Sequence, residues 1–183
     1  MKAPYKFIVE PYQGKRYENT VKFGDIEINT SFSEEDHKFA NRFVIVKETP
    51  LGYKGDIKIG DKLVVHHNIL KFYNNIKLER SSSSAFFKDN IFMVGFDQFY
   101  LYGDFGKWKC HDNFCFVKPI ESGEKTHPYI PLMGTMKFVN NTLSGYGLKE
   151  GDRIVFCPES EYEFRIEGEL LYRVYEHMIV GKI

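Results

Sequence analysis

The sequence predicts an all-β protein built as two small domains in tandem, each a small barrel or sandwich. Three observations lead there. Aromatic residues are abundant, with 17 Phe, 12 Tyr and 1 Trp in 183 residues, and such rings, together with Ile and Val, favour pleated, half-buried strands over helices. Apolar runs are short and separated by turn signals every several residues, the pattern of a small barrel or sandwich. The same ordered set of signals then occurs twice along the chain, as a repeat architecture requires. With 43% hydrophobic and 27% charged residues, the chain has apolar material for one large or two small cores.

The repeat opens with Phe7 to Pro11 (FIVEP) and Cys115 to Pro119 (CFVKP), each an apolar run closed by a charged residue and a proline. Next, Thr49-Pro50-Leu51-Gly52-Tyr53 is echoed by Thr142-Leu143-Ser144-Gly145-Tyr146. A glycine-aspartate pair then opens an apolar strand, in Ile57 to Val65 (IKIGDKLVV) and in Leu148 to Phe156 (LKEGDRIVF). Last come two strands around a tight turn, Asp89-Asn90 within Phe86 to Tyr102 and Glu167-Gly168 within Arg165 to Ile183. The Gly-rich polar stretch GDFGKWKCHDN between the copies reads as a linker. The expected organisation is therefore a first domain over 1–105, a linker over 106–111 and a second domain over 112–183. The best helical candidate is short, Ser31 to Phe43, with Ser33 as a cap and Asp36 three residues on.

Charge excludes one class of function. Lys plus Arg equals Asp plus Glu at 25 each, and division after Gly106 gives 15 basic against 14 acidic residues, then 10 against 11. Neither half carries a basic field, so no nucleic acid is expected as partner. No stretch approaches the roughly 18 to 20 apolar residues of a membrane span, and the opening MKAPYKFIVEPYQGKRY lacks a signal-peptide core. Three cysteines, Cys110, Cys115 and Cys157, cannot all pair within one chain. The expectation is a soluble protein of a reducing, cytoplasmic compartment, with no membrane partner.

Candidate catalytic chemistry is thin. His66 and His67, at a predicted strand end, should point to opposite faces. Cys110, His111 and Cys115 fall short of the four ligands of a structural zinc site. There is no glycine-rich phosphate loop, nucleophile elbow, paired-carboxylate motif or dinucleotide-binding fingerprint. Ser81 to Ser84 reads as a flexible loop tip. No enzymatic activity, catalytic residue, cofactor or bound metal is expected.

Lys149 to Ile183 resembles the C-terminal half of a GroES-type co-chaperonin. The resemblance is carried by Lys149, Gly151 and Asp152 before a strand, by Ile166, Glu167, Gly168 and Glu169 at a hairpin, and by Glu176 before a closing Met178-Ile179-Val180. The first copy matches more loosely, through Ile57-Lys58-Ile59-Gly60-Asp61 and Lys88-Asp89-Asn90-Ile91. The resemblance implies two tandem GroES-like small β-barrel domains, as in the double-domain co-chaperonins of chloroplasts. The richness in Lys, Asn, Ile, Phe and Tyr resembles a phage-encoded version, acting in the cytoplasm of a host cell.

In that family a flexible loop after the first strand carries an apolar tripeptide that docks on the apical domains of a chaperonin ring. The comparable stretch of the first repeat is Tyr12 to about Arg42, in which Ile26, Glu27 and Ile28 lie where the tripeptide would; in the second repeat it is Glu121 to Thr135, with Ile130, Pro131 and Leu132. A segment that orders on contact binds modestly, and a homo-oligomeric ring multiplies the effect. An ordinary strand is the competing reading at both places, since apolar-polar-apolar alternation is the strand signature.

Two functions follow. The first is a co-chaperonin that forms a ring-shaped lid and assists folding by capping a chaperonin chamber. The alternative is a structural or assembly protein, plausibly of a virion, that reuses two β-barrel modules without meeting a chaperonin.

Overall fold

The computed structural model describes residues 2–17, 20–23, 26–29, 40–74 and 79–183. It divides into two compact units, Met1–Gly103 and Asp104–Ile183. The first holds β1 (Phe7–Pro11), β2 (Thr20–Phe23), β3 (Ile26–Asn29), β4 (Phe43–Glu48), β5 (Lys62–Val65), β6 (Phe72–Asn74), β7 (Arg80–Ser82), β8 (Phe86–Lys88), β9 (Ile91–Val94) and β10 (Phe99–Asp104), near whose end the division falls. The second holds β11 (Lys107–Cys110), β12 (Phe114–Glu121), β13 (Tyr129–Phe138), a single short helix α1 (Asn141–Gly145), β14 (Arg153–Phe156), β15 (Tyr162–Ile166), β16 (Glu169–Tyr175) and β17 (Ile179–Lys182).

The two units share one antiparallel plan. Strands of the first run β8-β9-β1-β4-β5-β10, and those of the second run β15-β16-β12-β13-β14-β17. The registers agree residue for residue along the opening strand. Val9 pairs with Val46 and Pro11 with Val44; Val117 pairs with Met136 and Pro119 with Gly134. Each ladder is interrupted at the corresponding step, between Ile8 and Val9 and between Phe116 and Val117. Among the described residues no pairing joins the outer strands of either row, so neither sheet is closed into a barrel by strand pairing.

The glycine-aspartate turns are the most closely matched feature. Asp61 accepts the amide of Lys58 on its carboxylate at 2.8 Å, and Asp152 accepts that of Lys149 at 3.0 Å. The amide of Gly60 donates to Val46 and that of Gly151 to Met136, at 2.8 and 2.9 Å. Both glycines sit at positive φ, +95° and +89°, a region that a side chain penalises. The hairpin turns match as well: Asp89 and Asn90 have φ of 46° and 63°, Glu167 and Gly168 of 52° and 81°, the paired positive values of a type I′ turn suited to twisted strands.

Each unit buries its own core. The first is built on Phe7, Val9, Val46, Leu63, Phe92 and Phe99, with Phe7 edge-on to Tyr53, Phe96 and Phe99 at 5.2 to 5.6 Å. The second is built on Cys115, Val117, Met136, Ile154, Phe156 and Val174. Register sets Cys115 in the place of Phe7, opposite Val174 as Phe7 is opposite Val94. Alternation along β4, where Val44 and Val46 are buried and Phe43 and Ile45 only partly so, is the period of two of a one-sided strand.

Several sequence expectations change. The echo Thr49 to Tyr53 and Thr142 to Tyr146 is not structural: the former is a tight turn with Gly52 at φ +70°, whereas the latter is α1 and its end, capped by Asn140 accepting from the amide of Leu143 at 2.9 Å. The expected linker over 106–111 holds β11, and Trp108 is buried with its indole N–H donating to Glu167 at 3.0 Å. Most of the candidate helix Ser31 to Phe43 lies outside the described residues, while Phe43 itself begins β4.

Candidate functional site

The segment after the opening strand differs sharply between the units. Register sets Pro11 level with Pro119 and Phe43 level with Met133. The first unit therefore spends 31 residues, 12–42, where the second spends 13, 120–132.

In the first unit the two ends of this excursion are clamped together. Asn41 is buried, and its carboxamide donates to the carbonyls of Tyr12 at 3.2 Å and Lys15 at 2.7 Å while accepting from the amide of Phe43 at 2.8 Å. Its own amide donates to Arg16, and Tyr17 bridges to Ala40. Beyond this neck, β2 and β3 form a separate two-stranded ladder in which Phe23 pairs with Ile26, Lys22 with Glu27 and Val21 with Ile28. Ile26, Glu27 and Ile28 are thus on a paired strand, and the intervening Gly24 and Asp25 lie outside the described residues.

In the second unit the corresponding segment is a closed hairpin. β12 and β13 continue their pairing as far as Glu121 opposite Tyr129. The Ser122 amide donates to Pro128 at 2.9 Å, and its hydroxyl donates to the His127 carbonyl. Between the pairs Pro119 to Gly134 and Glu121 to Tyr129, β13 holds Ile130 to Met133 against Ile120 alone. The triplet Ile130, Pro131 and Leu132 is therefore a bulge. Pro131 has no N–H to give a ladder, and Leu132 takes a φ of +59°, a strained value for a bulky residue. Pro131 is exposed, whereas Leu132 packs on the core.

The charge near this hairpin is cross-strand. Glu169 stands 2.9 Å from Lys118 and 3.4 Å from Lys137, which also reaches Glu150 at 3.6 Å. The Lys118 hydrogen bond, reinforced by Lys137, holds the Glu169 carboxyl below its ordinary value. The cysteines are of another kind. Cys115 is buried with its thiol 3.4 Å from the Val174 carbonyl, and burial, aided by the charge of Glu176, pushes it up to about 12. Burial likewise raises Cys110 well above its ordinary value. Such thiols stay protonated and slow to react at neutral pH. Among the described residues no three His, Cys, Asp or Glu gather as metal ligands would.

Two placements differ from the sequence reading. His66 and His67 do not face apart: they follow the end of β5, and their rings lie 4.2 Å from each other. Ser81 and Ser82 belong to β7 rather than to a loop tip, and Ser81 to Ser84 line an open cleft of about 490 Å3 in the first unit. Nothing in the local pattern marks that cleft, because its walls come from three separated stretches. The chain matches no protein-family model and no curated protein.

Proposed function

We propose that this chain is a tandem co-chaperonin, two GroES-like small barrels that assemble into a ring-shaped lid and cap a chaperonin chamber in the cytoplasm. The observation that carries the reading is the paired lysine-x-glycine-aspartate turn, which occupies the same register in both units and is the feature on which the family resemblance rests. The first unit's excursion is the docking arm. Its position after the opening strand is that of the family's loop, the Asn41 neck gives it a fixed root, and Ile26 and Ile28 are its anchors. An isolated two-stranded ladder is marginal in water, so the β2–β3 ladder gains stability when its apolar residues are covered by a partner. Several arms around a ring act through effective concentration, and each stays weak enough to release.

The second unit contributes differently. Its segment is closed by pairing and by Ser122, so docking through Ile130, Pro131 and Leu132 would use a bulge rather than an arm. That closure favours an assembly role for the second unit, which is also what the alternative of a virion structural module would require of both. Incubation of the full chain with a chaperonin ring, with and without nucleotide, followed by sedimentation tests the choice. Nucleotide-dependent co-sedimentation is expected; a chain that stays apart from the ring under both conditions rejects the co-chaperonin reading.

A further inference from the structure

The open cleft of the first unit exists because of a second insertion. Between β5 and β8 the first unit has 20 residues, 66–85, where the second unit has five, 157–161, between β14 and β15. The added chain carries β6 and β7, and the cleft forms between this hairpin and the turn that joins β9 to β10. A shared scaffold that one copy elaborates with an added hairpin and a cleft beside it is a place where a new ligand is accommodated.

The walls are held before anything binds. Arg16 donates to the carbonyl of Leu70 at 2.8 Å and to the Ser82 hydroxyl at 3.1 Å, with its guanidinium 3.5 Å from the centre of the Phe72 ring. Ser83 donates to the Ile69 carbonyl at 2.5 Å. On the opposite wall Gln98 accepts the amide of Gly95 at 2.8 Å, and the Asp97 carboxylate folds back to 2.8 Å from where a Gly95 Cβ would stand. His66 accepts the amide of Asn68 on Nδ1 at 3.1 Å, which fixes the ring against its own turn.

The chemistry of this lining is hydroxyl, carboxamide, imidazole and one carboxylate, with the exposed ring of Tyr73 at the rim and Ile69 and Ala85 as the apolar part. The charge that the described lining residues carry is negative, from Asp97, which opposes phosphate and carboxylate ligands. Hydroxyls and carboxamides that both donate and accept match a ligand whose own groups do the same, and an aromatic face suits the C–H side of a sugar ring. The volume lies within the roughly 300 to 1,000 Å3 of ligand clefts. We infer that the cleft is a binding site for a neutral saccharide. The inference is independent of the proposed lid function.

The test is saturation-transfer NMR and calorimetry on the full chain with glucose, galactose, mannose and N-acetylglucosamine as probes, alongside glucose 6-phosphate and glucosamine as charged ones. At least one neutral sugar is expected to bind, and Asp97→Ala and Tyr73→Ala are each expected to weaken it by roughly tenfold, the loss of about one charged hydrogen bond or one ring contact. Thermal melting of both variants should match the parent, since both side chains are exposed; if either variant melts early, Ser84→Ala replaces it. No response to any of the four neutral sugars, a response unchanged in the variants, or preferential binding of the phosphate or the amine would overturn the assignment.

Discussion

Lys182, on the last strand, places its ammonium 2.9 Å from one carboxylate oxygen of Asp152, while the other oxygen accepts the amide of Lys149 at 3.0 Å. One residue thereby fastens β17 to the turn that opens β14. The Lys182 bond, with the Lys149 amide, holds the Asp152 carboxyl below its ordinary value of 3.8. A carboxyl whose value is lower folded than unfolded contributes stability above the unfolded value and loses it as pH falls through the folded one. Asp152→Asn keeps an acceptor for Lys149 and removes the charge. The second unit should therefore melt earlier than the parent at neutral pH, with the difference shrinking below about pH 3.8. Melting curves across that range check it, and a difference that is constant with pH would refute it.

Arg16 is the second tie to test. It joins the root of the first excursion to the β6–β7 insertion through Leu70, Ser82 and the Phe72 ring. Hydrogen bonds from a charged donor contribute about 1.5 to 3 kcal/mol each when a partner is left buried. Arg16→Ala should destabilise the first unit by roughly 2 to 4 kcal/mol, below the sum because bonds on one group are not additive. Arg16→Lys should recover little, since a point charge cannot donate in the guanidinium's fork. Denaturant unfolding gives the magnitude, and faster amide exchange at Phe72, whose N–H is held by the Tyr17 hydroxyl oxygen at 2.7 Å, locates it.

Gly134 has a packing reason rather than a conformational one. A Cβ there would stand 2.2 Å from a Val117 methyl and 2.8 Å from the Lys118 carbonyl. The level position in the first unit is Val44, so the strand plan itself admits a side chain. Gly134→Ala is expected to cost about 1 to 3 kcal/mol, the range of overpacking. Equilibrium unfolding of the second unit measures it; an unchanged midpoint would mean that Val117 moves aside freely.

The thiols should separate by burial. Cys115, buried and pushed up to about 12, is expected to resist alkylation in the native chain; Cys110 and Cys157 are both partly exposed, but Cys110, raised well above its ordinary value, is expected to react more slowly than Cys157. All three should label together after unfolding. Peptide mass spectrometry after a brief iodoacetamide pulse reads the order directly.

The parts of the fold that showed in the sequence are those fixed by local chemistry. Gly60-Asp61 and Gly151-Asp152 were visible because a positive φ requires glycine and the turn requires a carboxylate acceptor three residues from the amide it caps. Pro11 and Pro119 mark the same step of the two opening strands, although only β1 ends at its proline and β12 continues to Glu121. What did not show depends on partners distant in the chain. The pair His66-His67 reads as the end of a strand, yet β5 ends at Val65. Trp108 sits in a polar, Gly-rich stretch, and the carboxylate that receives its buried indole N–H, Glu167, lies 59 residues on. The serines of the cleft looked like a solvated tip, since the Arg16 that anchors them lies 66 residues away.

The proposed docking arm yields the most discriminating experiment. Ile26 and Ile28 lie on a two-stranded ladder beyond the Asn41 neck, outside the six-strand row that carries the first core. If they are the anchors, each contributes about 1.5 to 3 kcal/mol of apolar burial to docking, and a ring of subunits multiplies the loss. Ile26→Ser with Ile28→Ser should abolish chaperonin capping and move the melting temperature little. Ile130→Ser with Leu132→Ser should behave in the opposite way, because Leu132 packs on the second core. A loss of about 1 to 2 kcal/mol there lowers the melting temperature by some 4 to 16 °C for a unit of this size, with capping retained through the first unit's arm. Melting and nucleotide-dependent co-sedimentation of both double variants, measured together, decide the matter. Retained capping with an early melt in the first pair would return Ile26 and Ile28 to the fold and remove the arm from the mechanism.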